Sequence, residues 1–298
     1  MRALITGADG FTGRYMAAQL KAMSCEVHGL VRRHSAQADV HALHHVDLLD
    51  SGSLRTLLTG LQPEWVVHLA AISFVTHEDV EAIYRTNIVG TRNLLQALAE
   101  SGATPQAVLL ASSANIYGNA AVEYIDEGVP PAPANDYAVS KLAMEHLARL
   151  FADRLPLIIV RPFNYTGVRQ PGNFLLPKIV SCFRKREPVI ELGNLDVARD
   201  FSDVRMVTDC YRRLLQCPSA IGGVFNVCSG RTYTLSEVLS MMQSLTGHAI
   251  EVRVNPDLVR VKEVRALRGN RARLEAAIGP VSDIPLEQTL RWMLEDGA

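Results

Sequence analysis

The sequence predicts an α/β protein built on a doubly wound parallel sheet, with a smaller C-terminal lobe. Three observations predict this fold class. Glycines separate a short apolar run from a helical pattern at the start of the chain, β-type runs alternate with helical stretches through the first half, and the composition changes after Val160. Strands joined by helices in this way lie parallel, with helices on both faces of the sheet.

The chain begins MRALITGADGFTGRYMAAQL. Residues 3–5 read as a buried strand, and residues 11–20 carry apolar side chains at helical spacing. Glycines between them allow a tight turn, and the helix N-terminus offers unpaired N–H donors to an anion, usually a pyrophosphate. The pattern predicts the turn of a dinucleotide-binding Rossmann fold, although a glycine-rich turn without a ligand is the alternative. The residues placed beside the cofactor are Gly7, Gly10, Phe11, Thr12 and Gly13.

Further β-type runs are expected at 26–31, 65–69, 107–111 and 157–160, with a return to a buried strand at 224–230. The stretch RPFNYTGVRQPGNFLLPKIV is rich in Pro, Gly and Asn and predicts an irregular region, and the chain is helical again from Ser236 before a loop-rich end. These changes predict a nucleotide domain of residues 1–163 and 206–228. The lobe would comprise 164–205 and 229–298, and the cleft between them would hold a substrate.

Composition narrows the function classes. The 298 residues carry 30 Lys and Arg against 31 Asp and Glu, so no overall charge recruits nucleic acid or an anionic membrane. Five scattered cysteines without a C-x-x-C pair argue against disulfides or structural zinc and favour the cytoplasm. No leader and no membrane-spanning apolar run is expected. The segment HALHH (41–45) has metal-like spacing, yet no carboxylate pattern accompanies it, so no metal site is predicted.

Two arginines follow the second predicted strand in VHGLVRRHS. A dinucleotide fold presents there the residue that contacts the adenosine ribose. Arginine pairs with a 2′-phosphate, whereas a carboxylate would accept hydrogen bonds from a 2′-hydroxyl. Arg32 and Arg33 therefore predict NADP(H), with a solvated strand end as the alternative.

The sequence YAVSK places Tyr137 and Lys141 four residues apart, on one face of a predicted helix. A neighbouring ammonium would lower the pKa of the tyrosine from about 10 towards neutrality and make the phenol a usable acid. Upstream, the apolar run AVLLA ends in Ser112 and Ser113, whose hydroxyls would emerge at the carboxyl edge of the sheet, where such folds bind ligands.

The opening glycines, DLLD, HLAA, TNIVGT, SSANIYG, YAVSK and RPFN together resemble, in order and spacing, the extended short-chain dehydrogenase/reductase family over the whole chain. The resemblance implies that Ser113, Tyr137 and Lys141 form a catalytic trio, with Tyr137 and Lys141 also contacting the cofactor. Asn164 and Ser113 would contact the substrate. Other cofactor contacts implied are Asp47 and Leu48 at the adenine, Leu69, Ala70 and Ala71 along the cofactor, and Asn87 and Phe163.

A narrower likeness lies in ELGNLDVARDFSDVRMV and RVKEV, which look like the branch of this family that handles GDP-activated mannose derivatives. It implies that Lys178, Arg199, Arg260 and Glu263 hold the diphosphate and the nucleoside. Two phosphates attract Lys and Arg, and a carboxylate accepts hydrogen bonds from a sugar or a base. Surface ion pairs are the alternative for each of these charges.

One position separates two activities within that branch. The dehydratases carry a glutamate two residues beyond the catalytic hydroxyl, as the base at C5, and Asn115 stands there here. An amide takes no proton near neutral pH. The sequence therefore predicts an NADPH-dependent 4-keto reductase that forms GDP-rhamnose or its C4 epimer from GDP-6-deoxy-4-keto-mannose.

Alternatives remain open. Asn115 could cap a turn while Glu123 or Asp126 reaches C5. The chain could be a nucleotide-sugar epimerase or dehydratase with tightly bound NAD(P), or a non-catalytic NADP sensor. A homodimer is the expected assembly.

Overall fold

A central parallel sheet with helices around it organises the described residues, which are 1–32, 37–73, 79–195, 197–259 and 266–296 of this computed structural model. The strands are β1 (Arg2–Thr6), β2 (Glu26–Val31), β3 (Ala42–His45), β4 (Trp65–His68), β5 (Ala107–Ala111), β6 (Leu157–Pro162), β7 (Asn164–Thr166), β8 (Val189–Leu192), β9 (Ala198–Asp203), β10 (Val224–Val227), β11 (Thr232–Thr234), β12 (Glu251–Val254) and β13 (Ala266–Leu267). The α-helices are α1 (Phe11–Ala22), α2 (Ser51–Leu61), α3 (Val80–Tyr84), α4 (Thr91–Glu100), α5 (Asp136–Arg149), α6 (Leu175–Arg184), α7 (Val204–Leu215), α8 (Leu235–Thr246), α9 (Ala272–Ile278) and α10 (Leu286–Asp296). A π-helical turn (Arg85–Gly90) joins α3 to α4, and a 3-10 turn (Ala114–Tyr117) follows β5.

The large sheet has the strand order β10-β6-β5-β4-β1-β2-β3, and every pair in it is parallel. Its carboxyl ends therefore meet at one edge, with β1 and β4 central. Leu4 and Ile5 are both fully buried but belong to different core clusters, one on each face. Helices thus cover both faces of the sheet, which confirms the predicted fold class.

Each face of the sheet has its own helices. Met16 and Leu20 of α1 pack with Tyr211 of α7 on one face. On the other face, Leu94 of α4 and Met144 of α5 pack in the second cluster. The Asn135 side chain caps α5 by accepting from the Ala138 N–H at 2.9 Å, which places Tyr137 in the first turn of that helix.

The C-terminal lobe has a separate apolar cluster from α6, β8, β9, α8 and α10, in which Ile179, Val238 and Leu290 are fully buried. The boundary between domain and lobe stays a prediction. Leu274 of α9, which falls in the predicted lobe, packs in the same cluster as the β1 side of the sheet.

Two local predictions are wrong, and one strand was missed. The stretch after Val160 contains the end of β6, then β7 and α6, and Pro177 fits α6 because it lies in the first turn, where no helical hydrogen bond needs its nitrogen. The C-terminal end holds α9 and α10 where loops were expected. The polar segment at 42–45 is itself an edge strand, β3, and was missed because only one residue in it is strongly apolar.

Candidate active site

The glycine turn after β1 leaves no room for a side chain at Gly7 or at Gly13. Gly7 has φ +69°, and a Cβ there would lie 3.0 Å from the Ala70 backbone. A Cβ on Gly13 would stand 2.2 Å from the Gly7 carbonyl oxygen, so α1 packs directly on the turn. Gly10 ends the turn in an extended conformation and precedes the free first turn of α1. The N-terminus of α1 has no side-chain cap, so the N–H groups of its first turn fit a pyrophosphate.

The first turn of α1 also contacts the segment that leads into the lobe. The Thr12 Oγ1 and the Tyr165 hydroxyl are hydrogen-bonded at 2.7 Å, and the Phe11 ring stacks on Tyr165 with centroids 6.0 Å apart. Sequence reasoning missed Tyr165. Its position directly after Asn164 in RPFNY was the available signal.

The residues predicted for the adenosine end lie beyond β2 and β3. Arg32 is exposed just after β2, and Arg33 lies outside the described residues. The Asp47 carboxylate accepts from the Leu49 N–H at 2.9 Å, which fixes the turn after β3. Leu48 is buried against Gly90, where a Cβ would approach its side chain to 3.0 Å.

The segment after β4 is held beside the glycine turn by side-chain hydrogen bonds. The Ala70 N–H donates to the Thr6 hydroxyl at 3.1 Å, which fixes the stretch that contains Leu69 and Ala71. Asn87 is buried and bonds both backbone groups of Ile72, at 2.9 and 3.1 Å. The same amide donates to the Ser140 hydroxyl on α5 at 3.0 Å. In this structure Asn87 therefore connects the cofactor-side loop to the helix that carries Tyr137.

The predicted catalytic trio is brought together at the carboxyl edge of the sheet. Ser113 follows β5, and its side chain lies close enough to Tyr137 on α5 to lower the pKa of the phenol. Lys141, one turn later on α5, donates from Nζ to the Ala111 carbonyl at 2.8 Å. All three side chains are buried, with Tyr137 8% exposed. The arrangement can bind a carbonyl oxygen and deliver a proton to it.

The acidity of the phenol differs from the sequence prediction. Burial raises the pKa of Tyr137 above its ordinary value, and the neighbouring Ser113 side chain opposes this only in part. The Lys141 Nζ lies 6.0 Å from the centroid of the Tyr137 ring. Burial also lowers the pKa of Lys141 to about 8. The expectation that the pKa of Tyr137 is lowered towards neutrality is wrong in this structure, because burial of the phenol raises that pKa.

The next residues of the predicted site follow β6. Phe163 is buried, and its N–H donates to the Val227 carbonyl at 2.9 Å. Asn164 is half-buried and begins β7, which pairs with β9 through Phe201. These two residues therefore lie where the sheet joins the lobe.

The predicted diphosphate ligands are only partly described. Lys178 on α6 donates from Nζ to the Glu191 carbonyl at 2.6 Å, which ties α6 to β8. Arg199 lies on β9 and donates from Nη1 to the Ala198 carbonyl at 3.0 Å. Arg260 and Glu263 lie outside the described residues. The structure therefore leaves the diphosphate site a prediction.

Three further features of the described residues lie outside this site. No group of His, Cys, Asp and Glu among them could hold a metal ion, and no helix among them is long and apolar enough to cross a membrane. His44 of the HALHH segment is instead hydrogen-bonded to His28 at 3.0 Å. A shallow cavity of about 500 Å³ beside α8 is lined by Ser240 and Ser244 and contains no predicted site residue.

Two curated relatives match almost the whole chain. A GDP-6-deoxy-D-talose 4-dehydrogenase of Aggregatibacter actinomycetemcomitans is 32% identical over 94% of this chain and 92% of its own. A GDP-6-deoxy-D-mannose reductase of Pseudomonas aeruginosa is 34% identical over 99% of this chain and 96% of its own. The predicted enzyme class, an NAD(P)-dependent nucleotide-sugar oxidoreductase, is confirmed at this level.

Solved structures of similar proteins also match almost the whole chain. RMD from Pseudomonas aeruginosa, complexed with NADPH, superposes with a TM-score of 0.85 at 33% identity, covering 99% of this chain and 98% of that one. A protein of Burkholderia cenocepacia J2315, provisionally described as an epimerase, superposes with a TM-score of 0.92 at 50% identity. The match covers 99% of this chain and 97% of that one. These structures share the fold, and the Pseudomonas aeruginosa structure holds NADPH, the cofactor predicted here from the sequence.

The resemblance seen in the motifs is confirmed by a family model described as GDP-mannose 4,6 dehydratase, which matches residues 4–293. The match spans the glycine turn, the Ser113–Tyr137–Lys141 site and the lobe. The chain therefore belongs to the GDP-mannose 4,6 dehydratase family of extended short-chain dehydrogenases/reductases.

Proposed function

We propose that this chain reduces the C4 ketone of GDP-6-deoxy-4-keto-D-mannose with NADPH and forms GDP-D-rhamnose. The observation that carries the proposal is that Ser113 and Tyr137 are buried together, with Lys141 one turn away on α5 and an amide, Asn115, in the turn that follows Ser113. This arrangement can protonate a carbonyl oxygen but offers no base at the Asn115 position.

NADPH supplies a hydride when bound. The glycine turn and the N-terminus of α1 would hold its pyrophosphate, and Arg32 with Arg33 would favour the 2′-phosphate. Lys141 would bind the nicotinamide ribose from its place beneath Tyr137.

The chain's own residues complete the reaction. Ser113 would hold the ketone oxygen through its hydroxyl, and Tyr137 would transfer its phenolic proton to that oxygen as C4 accepts the hydride. The C=O bond then becomes CH–OH, and the phenolate regains a proton from solvent. The buried neighbourhood of Tyr137 keeps the phenol protonated until that step.

Dehydration of GDP-mannose requires a base at C5. The Asn115 N–H donates to Ser113 Oγ at 3.2 Å, so the residue lies beside the reactive hydroxyl, but its amide cannot act as that base. Glu123 has a 78% exposed side chain and pairs with Arg268, and Asp126 accepts from the Gly128 N–H. Neither carboxylate supports the alternative in which one of them reaches C5.

The lobe would recognise the nucleotide part of the substrate. We assign the diphosphate to Lys178, Arg199 and Arg260, and the nucleoside side to Glu263, because the lobe carries these charges outside the dinucleotide half. Asn164, at the junction of sheet and lobe, would contact the sugar.

The face of C4 that accepts hydride decides the product. The two curated relatives are named for GDP-6-deoxy-D-mannose and GDP-6-deoxy-D-talose, which differ at C4. GDP-D-rhamnose is our assignment, with the C4 epimer as the alternative.

A second candidate is a nucleotide-sugar epimerase with retained cofactor, which the resemblance to the Burkholderia cenocepacia protein favours. Such an enzyme would return the cofactor to its starting state in each turnover. A non-catalytic NADP sensor would need neither Ser113 nor Tyr137.

The assembly is proposed to be a homodimer. Val80, Val89 and Val139 are apolar yet about 40% exposed, on α3, the π-helical turn and α5. Light scattering coupled to gel filtration would show twice the mass of 32.7 kDa if it is correct.

The proposed function is tested by two incubations of the purified chain. GDP-6-deoxy-4-keto-D-mannose with NADPH should be consumed and give GDP-D-rhamnose by NMR, whereas GDP-mannose with NADP should give no keto sugar above background. Efficient formation of the 4-keto sugar from GDP-mannose would identify a dehydratase instead.

Cofactor choice needs its own comparison. Neutralising Arg32 and Arg33 together should weaken NADPH binding at least tenfold, since a charge-assisted contact contributes about 1.5–3 kcal/mol, and should leave NADH binding nearly unchanged. Equal losses for both cofactors would contradict the assignment.

A further inference from the structure

A fully buried ion pair lies directly beneath the proposed catalytic residues. Glu145 is 1% exposed and Arg161 4% exposed. The guanidinium binds the carboxylate through two parallel hydrogen bonds, Nη2 to Oε2 at 2.7 Å and Nε to Oε1 at 3.0 Å. The Ser112 hydroxyl donates to the same carboxylate. No step of the proposed reaction uses this pair.

Each member of the pair is attached to a different part of the site. Glu145 follows Lys141 by one helical turn on α5, so the two side chains share a face with Tyr137. Ser112 directly precedes Ser113 at the end of β5. Arg161 lies on β6, two residues before Phe163. The pair therefore joins the three elements whose relative position sets the geometry of the site.

The remaining donors of the guanidinium are also used. Arg161 Nη1 donates to the Tyr117 hydroxyl at 2.8 Å, and that hydroxyl donates to Asn226 Oδ1 at 2.8 Å on β10. Its cation also lies over the Tyr117 ring at 5.1 Å. The network thus extends across β5, β6 and β10, and the guanidinium, the carboxylate and the phenol each have hydrogen-bond partners.

Such a network is a poor way to stabilise a core. Desolvation of two buried charges costs about as much as their attraction returns, and apolar replacement of both partners is often neutral or stabilising. The directional bonds, in contrast, allow one arrangement of α5 against the sheet.

We infer that Glu145 and Arg161 are positioning residues that hold Ser113, Tyr137 and Lys141 in register at the sheet edge, with the Glu145 carboxylate as the anionic neighbour of the Lys141 ammonium. The expected effect on catalysis rests on the proposed reduction. The arrangement of charged groups around Lys141 does not depend on which substrate is bound.

The groups around Lys141 allow a test of the proposed interaction between the Glu145 carboxylate and the Lys141 ammonium. On its own helix it has Tyr137 and Glu145, and from β5 it meets the Ala111 carbonyl. From β4 it faces His68, which burial and the Lys141 charge keep neutral by lowering its pKa to about 3. Burial lowers the pKa of Lys141 to about 8, and Glu145 raises it. Among the described residues, Glu145 is therefore the group that keeps Lys141 charged near neutral pH.

The first variant is Glu145→Gln, which keeps the shape and removes the charge. We expect kcat at pH 8 to fall at least tenfold, its alkaline limb to move to lower pH, and KM for the sugar to change less than twofold. Arg205→Met is the matched control, because it breaks the pair with the fully buried Asp203 in the lobe (2.7 Å). It should lower Tm and leave the pH profile unchanged.

The double variant Glu145→Met/Arg161→Met separates positioning from stability. The double variant leaves no uncompensated buried charge, so its Tm should recover above the Tm of Glu145→Met alone and of Arg161→Met alone, while kcat stays at least tenfold below that of the unaltered chain. Recovery of kcat together with Tm would overturn the inference.

An NMR titration of Lys141, which needs no turnover, tests the role of Glu145 separately from the proposed reduction. The chain has five lysines, so the Lys141 Nζ and Cε signals can be assigned in labelled, cofactor-free protein with Lys141→Arg as reference. We expect Lys141 to titrate at lower pH in Glu145→Gln than in the unaltered chain, and an unchanged titration would overturn the electrostatic assignment. If the unaltered chain does not reduce the keto sugar, the proposed function fails, and this titration still decides whether Glu145 acts on Lys141.

Discussion

Replacing Gly13 with alanine tests whether the glycine turn is packed as the structure shows. The new methyl carbon would lie 2.2 Å from the Gly7 carbonyl oxygen and 2.8 Å from the Ala8 Cα, against ordinary contacts that begin at 3.4 Å. The nearest atom is thus about 1.2 Å too close, and it belongs to the main chain, which cannot rotate away as a side chain would. Helix α1 must therefore move off the turn.

The expected size of the effect follows from this geometry. Overpacking a core costs about 1–3 kcal/mol, and a clash between two backbone segments should lie at the upper end. For a chain of 298 residues, about 3 kcal/mol lowers Tm by about 5 °C. Because the N–H donors of α1 shift with the helix, Kd for NADPH should rise at least tenfold.

A matched glycine provides the control. Gly60 lies in α2, and no atom stands within 4 Å of the position that an added methyl group would take, so Gly60→Ala should raise stability by about 0.5–1 kcal/mol and leave NADPH binding unchanged. Thermal unfolding and NADPH fluorescence titration measure both quantities. Gly13→Ala with the Tm and the NADPH affinity of the unaltered chain would refute the packing argument.

Three other substitutions test other parts of the site. Tyr137→Phe keeps the ring and removes the proton donor, so kcat for NADPH oxidation by the keto sugar should fall by about 10²–10⁴ while NADPH affinity changes less than threefold. Arg199→Ala should raise KM for the GDP-sugar and weaken its dependence on salt, with little change in NADPH affinity in a titration. His68→Asn should make the free energy of unfolding less sensitive to acid. Burial lowers the pKa of His68 to about 3 in the folded state. Below about pH 6.5 the imidazole therefore takes up a proton in the unfolded state but not in the folded state. The unaltered chain then loses about 2 kcal/mol of unfolding free energy between pH 6.5 and 5, and Tm measured across that range should fall less in the variant.

Each of these three expectations has a contrary result. Near-normal turnover in Tyr137→Phe would mean that another group supplies the proton. An Arg199→Ala variant that does not fold would make that arginine structural. Parallel Tm curves for His68→Asn and the unaltered chain would show that His68 is not the buried group that opposes acid.

The sequence predicted the features that depend on local pattern. Apolar runs of strand length, alternating with helical spacing, indicated the parallel sheet, and the spacing of Gly7, Gly10 and Gly13 indicated the turn. Tyr137 and Lys141 share a helix face because four residues make about one turn. Ser113 lies at the sheet edge because it follows a buried strand.

What the sequence did not predict depends on tertiary packing. The acidity of Tyr137 follows from how deeply α5 is buried, which no local spacing reveals. Glu145 and Arg161 are 16 residues apart on different elements, so their pairing becomes visible only when α5 packs on β6. The same holds for Thr12 and Tyr165, which are 153 residues apart.

The proposed reduction is tested most directly by following deuterium from NADPH that carries the label at the transferred position of C4 of the nicotinamide. We expect each molecule of GDP-6-deoxy-4-keto-D-mannose consumed to yield one NADP and one GDP-sugar with deuterium bonded to C4 of the sugar, as read by NMR. An epimerised sugar without deuterium, formed with no net oxidation of NADPH, would contradict it.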